Sequence, residues 1–171
     1  MNKHSVIVII AILVIVTVAG NSIWNIYAVE QLQLSVNDES FRFYQVMVDE
    51  DKFVVCNPFF LPVTFNQFYI TVLFEGDVQG NYSIDGATIP PNSSQILDSI
   101  FFTEDYSETQ YLFMHFDHTF EGNPIRIDPA KMTVQTEFQT PILGIIPFSV
   151  TNQYSSMNFW NMLNDEESSK C

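Results

Sequence analysis

The chain has 171 residues, with 20 Asp+Glu against 6 Lys+Arg and a formal net charge of -14 at pH 7. Its 47% hydrophobic and 15% aromatic content, including 16 Phe, is too rich for a disordered acidic chain, which lacks the surface to bury a core. The acidity excludes the basic footprint that nucleic-acid binding needs, and two cysteines, Cys56 and Cys171, are too few for a disulfide-rich scaffold.

The charge is unevenly divided. No Asp or Glu precedes Glu30 and only Lys3 among the basic residues does, so the chain from Glu30 onward holds 5 basic and 20 acidic residues, a balance of −15. Between Ser5 and Val29 lie 25 residues without a formal charge, and Val6 to Val18 is almost wholly Val, Ile, Leu and Ala. A helix of that length reaches about 37 Å at ~1.5 Å per residue, enough for a hydrocarbon core of roughly 30 Å. Residues 1–29 therefore read as a transmembrane signal-anchor. Lys3 before the span favours a cytoplasmic N-terminus and an extracytoplasmic main domain, with Trp24 and Tyr27 at the depth where amphipathic rings collect. Val18-Ala19-Gly20 offers a signal-peptide cleavage point as the alternative. The apolar residues continuing through Ile23, Trp24, Ile26 and Tyr27 favour a retained, single-pass anchor.

Residues 30–40 read as a polar linker. Phe41 to Val48 and Lys52 to Cys56 are rich in aromatic and β-branched residues on either side of Asp49-Glu50-Asp51, which predicts a hairpin. From Thr64 to Glu75 the chain alternates: Phe68, Ile70, Val72 and Phe74 share one face, and Tyr69, Thr71 and Leu73 the other. Gly76-Asp77 and Gly80-Asn81 punctuate the next stretch, and Ile89-Pro90-Pro91-Asn92 reads as a rigid loop. Further strands are predicted over Gln95–Thr103, Gln110–Thr119, Met132–Phe138 and Ile142–Thr151. Short strands with regular turn signals predict an all-β fold over residues 41–152: an immunoglobulin/fibronectin-III-like antiparallel β-sandwich behind one N-terminal transmembrane helix.

Asn57-Pro58 is a corner by elementary stereochemistry. Pro58 lacks an N–H and pushes Asn57 toward extended backbone, so the strand must end or change sheets there, and Pro62 repeats the interruption. Asn57 reads as a turn-former. The run Val54-Val55-Cys56-Asn57-Pro58-Phe59-Phe60-Leu61-Pro62-Val63, followed by a long strand ending in Phe74-Glu75-Gly76, resembles the LEA-2 (LEA14-like, WHy) family. Thr88-Ile89-Pro90-Pro91-Asn92-Ser93-Ser94 resembles the family's next loop, and Leu143-Gly144-Ile145-Ile146-Pro147-Phe148-Ser149 its closing strand. The likeness covers roughly residues 33–151, and its structural positions are Asn57, Pro58, Pro62, Gly76, Pro90 and Gly144. Phe59 stands where many plant members have a second Asn, which weakens transfer of plant-specific function. The resemblance implies a non-catalytic, stress-related (desiccation) surface domain that binds apolar groups or envelope partners. The alternative is a structural subunit of the cell envelope.

Little in the sequence carries chemistry. The acids cluster at expected turns, no EF-hand loop is present, and neither a G-x-S-x-G nor an H-E-x-x-H motif occurs. In Met114-His115-Phe116-Asp117-His118 a strand would send His115 and His118 to opposite faces, which opposes a zinc or copper site. No catalytic residue, metal or cofactor is expected. Cys56 reads as a small buried hydrophobe, with a bridge to Cys171 left open. Asn81-Tyr82-Ser83 and Asn92-Ser93-Ser94 fit the N-glycosylation acceptor pattern and are expected in turns. Residues 153–171 are expected to form a short amphipathic helix, capped by Ser155 or Ser156, and an acidic tail. Met157, Phe159, Trp160 and Leu163 either cover one end of the domain or contact a partner, a protein in preference to an anionic lipid surface. Oligomeric state is not legible.

Overall fold

The computed structural model describes residues 3–36, 40–49, 52–124, 126–142 and 145–164. The acidic residues 50 and 51, Gly144 and the tail from Asp165 to Cys171 lie outside them. In chain order the elements are α1 (Lys3–Glu30), β1 (Gln33–Val36), α2 (Phe43–Asp49), β2 (Lys52–Asn57), β3 (Val63–Phe74) and β4 (Asp77–Ile89). After these come β5 (Ser93–Phe102), α3 (Tyr106–Phe120), a 3-10 turn at Pro129–Lys131, β6 (Met132–Ile142), β7 (Ile146–Ser155) and α4 (Ser156–Asn164).

The fold is mostly β. Seven strands form one antiparallel, curled sheet in the order β1-β2-β5-β4-β3-β6-β7. The curl is centred on β5, whose residues 93–98 pair with β2 while residues 99–102 pair with β4. Pro58 and Pro62 bound the segment that takes the chain from β2 to β3, two strands beyond β5. Neither end of that segment can continue a ladder, because proline has no N–H to give.

Alternation fixes which faces are buried. Along β6, Met132, Val134, Thr136, Phe138 and Thr140 are buried in strict period two. On β3, Phe68, Ile70 and Val72 are buried as their spacing predicts, but Val63 and Phe65 are also buried, in the opposite phase. β4 changes phase at the facing position, between Ile84 and Ile89. Both strands bend together where Asn66 lies against Gly86, and a Cβ on Gly86 would fall onto the Asn66 carbonyl, 2.8 Å from its Cα. The β3–β4 hairpin closes through Glu75 (φ 54) and Gly76 (φ 96), a two-residue turn that needs left-handed backbone at both positions. That is the local reason for Gly76.

Five sequence expectations are corrected. The segment from Phe41 to Val48, expected as a strand, contains α2, with Phe43, Val46 and Met47 buried at helical spacing. Gln110–Thr119, also expected as a strand, belongs to α3, with a buried stripe of Thr109, Leu112, Phe113, Phe116 and Asp117. Asp105 caps α3 by accepting the Glu108 N–H at 3.0 Å, so the acidic cluster read as a turn is a helix start. The segment read as a linker contributes β1, which pairs with β2. Finally, a further strand, β4, occupies the stretch read as turns between Gly76 and Ile89.

The core is aromatic. Phe41, Phe43, Phe53, Phe65, Phe68, Phe113, Phe116 and Phe159 are each essentially inaccessible. Phe43 of α2 meets Phe113 of α3 at 5.6 Å, and Phe41 meets Phe159 of α4 edge-on at 5.8 Å. The Tyr82 hydroxyl on β4 donates to the Phe43 carbonyl at 3.1 Å, joining sheet to helix. Such edge-on and tilted contacts contribute about 0.5–1.5 kcal/mol each beyond the area they bury.

Candidate functional site

Helix α1 is long and apolar enough to cross a membrane, with a mean hydropathy of 2.8 over its apolar window. It does not end at the edge of the domain. Ala28 and Val29, in its last turn, are buried in the same core as the β-strands. One turn earlier, Asn25 clasps β3: its Oδ1 accepts the Thr64 N–H at 2.8 Å, while its Nδ2 donates to the Thr64 carbonyl at 2.6 Å. The same Nδ2 donates to Thr140 Oγ1 on β6 at 2.6 Å. An asparagine amide can replace a neighbouring strand in this way because it carries a donor and an acceptor side by side. Trp24 packs edge-on against Phe59 at 5.4 Å and lies 5.5 Å from Phe60, and Tyr27 lies 5.9 Å from Phe59. The helix is thus locked to the sheet by hydrogen bonds and aromatic contact rather than tethered by a linker. Sequence reading singled out Trp24 and Tyr27, but nothing in the apolar pattern flagged Asn25.

The Asn57-Pro58 corner lies behind this junction. The fully buried Asn57 side chain donates from Nδ2 to the carbonyls of Leu61 at 2.8 Å, Ile89 at 3.1 Å and Pro90 at 3.1 Å. Its Oδ1 accepts the Phe59 N–H at 3.0 Å. Asn57 is therefore a clamp as well as a turn-former, tying the 58–62 segment to the loop that contains Pro90. The Pro90 carbonyl also accepts the Ser93 hydroxyl at 2.8 Å. Pro58 and Pro62 bracket the clamped segment, which holds Phe59 against Trp24 and Tyr27.

The stretch with metal-ligand character does something else. On α3 the buried Asp117 points at the start of α2, where its two carboxylate oxygens accept the N–H groups of Phe43 at 2.9 Å and Tyr44 at 2.8 Å. Those donors have no partner inside their own helix, so Asp117 caps α2 from a distant element. Burial pushes the Asp117 carboxyl from its usual 3.8 up to about 6. The Tyr44 and Phe43 N–H groups oppose that rise, Glu121 adds to it, and Arg42, ion-paired to Glu121 at 2.9 Å, opposes it. His115 stacks edge-on with Tyr111 at 4.2 Å, and His118 is exposed. Among the described residues no group of three or more His, Cys, Asp or Glu side chains converges.

The other sequence candidates have mixed placements. Asn81 is not in a turn but mid-strand on β4, where it pairs with Thr71 and Phe102 and donates to Thr71 Oγ1 at 3.2 Å. Asn92 is in an exposed turn, with φ 46, as expected. Helix α4 forms with Ser155 as its cap, accepting the Asn158 N–H at 3.3 Å. Phe159 and Leu163 are buried in the chain's own core, which removes them as partner contacts. Met157 is exposed, and Trp160 is half-buried against Phe120 at 5.8 Å. Cys56 is buried, but disulfide-bonded rather than a plain apolar thiol.

With fold and junction in view, the chain is a mostly-β protein with an N-terminal helix able to span a membrane. No protein-family profile matches it, and no curated protein does. One solved structure, described as the crystal structure of a protein from Archaeoglobus fulgidus, aligns with 74% of this chain and 95% of its own length. The identity is 10% and the TM-score 0.33, a likeness too loose to carry an argument.

Proposed function

We propose that this chain is a non-catalytic LEA-2/WHy-type domain, mounted on the membrane by α1 and held outside the cytoplasm, where it serves in stress protection. The observation that carries the reading is the junction: Asn25 and Trp24 fix the end of an apolar span directly to β3, β6 and the Asn-Pro corner. Such mounting gives a domain that acts on the adjacent surface a fixed height and orientation. The family reading is supported by Asn57, whose one amide joins two segments that resemble LEA-2 motifs. The immunoglobulin/fibronectin-III-like reading of the sheet draws on the divided pairing of β5 and on Phe53 of β2, which meets Tyr82 of β4 at 6.1 Å. An extracytoplasmic location agrees with Lys3, which precedes the apolar stretch. There Asn92 is the sequon open to glycosylation.

Drying tests the reading. Phosphatidylcholine vesicles carrying the full chain are dried, rehydrated and compared with vesicles carrying an unrelated single-pass protein. The proposal expects better retention of an encapsulated dye, and equal leakage counts against it.

A structural envelope subunit is the second reading, favoured by Ile96, Ile100 and Phe102, which stand exposed along one strand, β5. The size of the detergent-solubilised full chain separates the two, because a monomer argues against assembly.

A further inference from the structure

Around the α1 junction the domain has an apolar, uncharged end. From Thr140, which bonds Asn25, β6 continues to Pro141, which lines a cleft of about 470 Å³ together with Thr17, Val18, Asn21 and Ser22 of α1. The strand is therefore climbing the helix toward its N-terminal, membrane-spanning part. Beyond Pro141 the hairpin turns back, with Ile142 pairing to Ile146 and the Ile145 N–H donating to the Ile142 carbonyl at 3.2 Å. Ile145 at the tip is 83% exposed, and Ile146 and Phe148 follow it into the open. Beside the same helix Phe60, 5.5 Å from Trp24, is 69% exposed next to an exposed Leu61. Both segments sit in long stretches without a formal charge, residues 53–74 and 138–164, in a chain whose net charge is -14.

Exposed Ile and Phe gathered where charge is absent mark an interaction surface. Depth supplies the occupant. A bilayer core of roughly 30 Å takes about 20 helical residues. Counted from His4, that places the boundary near Ile23, so Thr17 to Ser22 lie in the outermost turns of the span. A hairpin running alongside those turns reaches the same depth. Because β7 is the last strand of the sheet, its open edge confines the tip to the headgroup boundary, where water still reaches backbone groups.

We propose that the β6–β7 hairpin tip and the Phe60-Leu61 loop insert into the lipid layer beside α1, so the domain grips the bilayer at three points. This rests on the reading of α1 as a membrane span. The occupant is lipid rather than protein because the apolar tip continues the lipid-facing surface of the helix, and the acidic charge of the chain lies in other segments.

The test uses the full chain in phosphatidylcholine vesicles with and without brominated acyl chains. Ile145→Trp adds a reporter at the tip, and Val78→Trp adds one at the start of β4, where Val78 is 62% exposed and stands just past the β3–β4 turn. The added Ile145→Trp emission is expected to shift to the blue and to be strongly quenched by the brominated lipid, while that of Val78→Trp is not. If vesicles float with the protein bound but both reporters behave alike, the anchor stands and the insertion is wrong. If the tip emission is blue-shifted, unquenched and dependent on protein-to-lipid ratio, the tip meets a second protein molecule and the proposal fails. If the chain does not float with the vesicles, the anchor reading and this one fall together.

Discussion

At Asn57 a single buried amide holds two loops, so its chemistry can be altered one atom at a time. Asn57→Ala leaves three carbonyls and the Phe59 N–H without their partner. With buried unmet groups costing about 1–3 kcal/mol each and partial relaxation, the loss is expected on the order of 3 kcal/mol. Asn57→Asp should be worse, because it turns a donor facing three carbonyls into a charged acceptor. The order wild type, Ala, Asp in Tm checks this, and an Asp variant as stable as the Ala variant would show the amide donor to be unimportant. Asp117 makes a pH prediction. Its folded carboxyl, at about 6, binds a proton more tightly than the ordinary 3.8 of an unfolded one. Its stabilising contribution is therefore fully present below pH ~4 and is lost as pH rises through about 6, by on the order of 3 kcal/mol in total. Relief of net negative charge on acidification acts on wild type and Asp117→Asn alike, so the difference between them isolates this group. Wild type should gain on the variant as pH falls from 7 toward 4.5, whereas parallel profiles would contradict the assignment.

At the scale of elements, the joint bend of β3 and β4 depends on Gly86 lying against the Asn66 backbone. Gly86→Ala must push two paired strands apart, at an overpacking cost of about 1–3 kcal/mol, read as a lowered Tm. No change would place the bend elsewhere. Strands whose burial follows a period of two were legible: β3 emerges from the sequence nearly at its observed limits, and β6 at its start, though the predicted strand stops at Phe138 and the observed one runs to Ile142. The helices were not, although the signals were present. Phe43, Val46 and Met47 keep helical spacing, but the segment is short and rich in β-branched and aromatic residues, so strand propensity masked it. Its N-terminal donors are capped by Asp117, far along the chain, which no local reading shows. In α3 the Asp105–Glu108 start has the spacing of a helix cap, but its clustered acids resemble a charged turn. β4 was hidden by Gly80, which serves a close contact with the Phe101 ring inside the strand rather than a turn.

For the whole molecule, the sequence divided the chain into an apolar anchor and an acidic domain but placed a linker between them. The structure replaces that linker with β1 and a locked junction, which was not legible because Asn25 finds Thr64 and Thr140 only after folding. Asn25→Ala should leave the domain folded, with little change in Tm, yet speed amide exchange at Thr64 and raise protease sensitivity between residues 21 and 32. Unchanged exchange would show that aromatic packing alone holds the junction. The central claim is that α1 spans the membrane and presents the domain outside the cytoplasm. Lys52 and Lys131 report on the domain, with side chains 57% and 50% exposed, while Lys3 precedes the apolar stretch. Intact cells are treated with a membrane-impermeant amine reagent and modification is mapped by mass spectrometry. The account predicts that Lys52 and Lys131 react at once and Lys3 only after permeabilisation; modification of Lys3 in intact cells with Lys52 and Lys131 protected would contradict it.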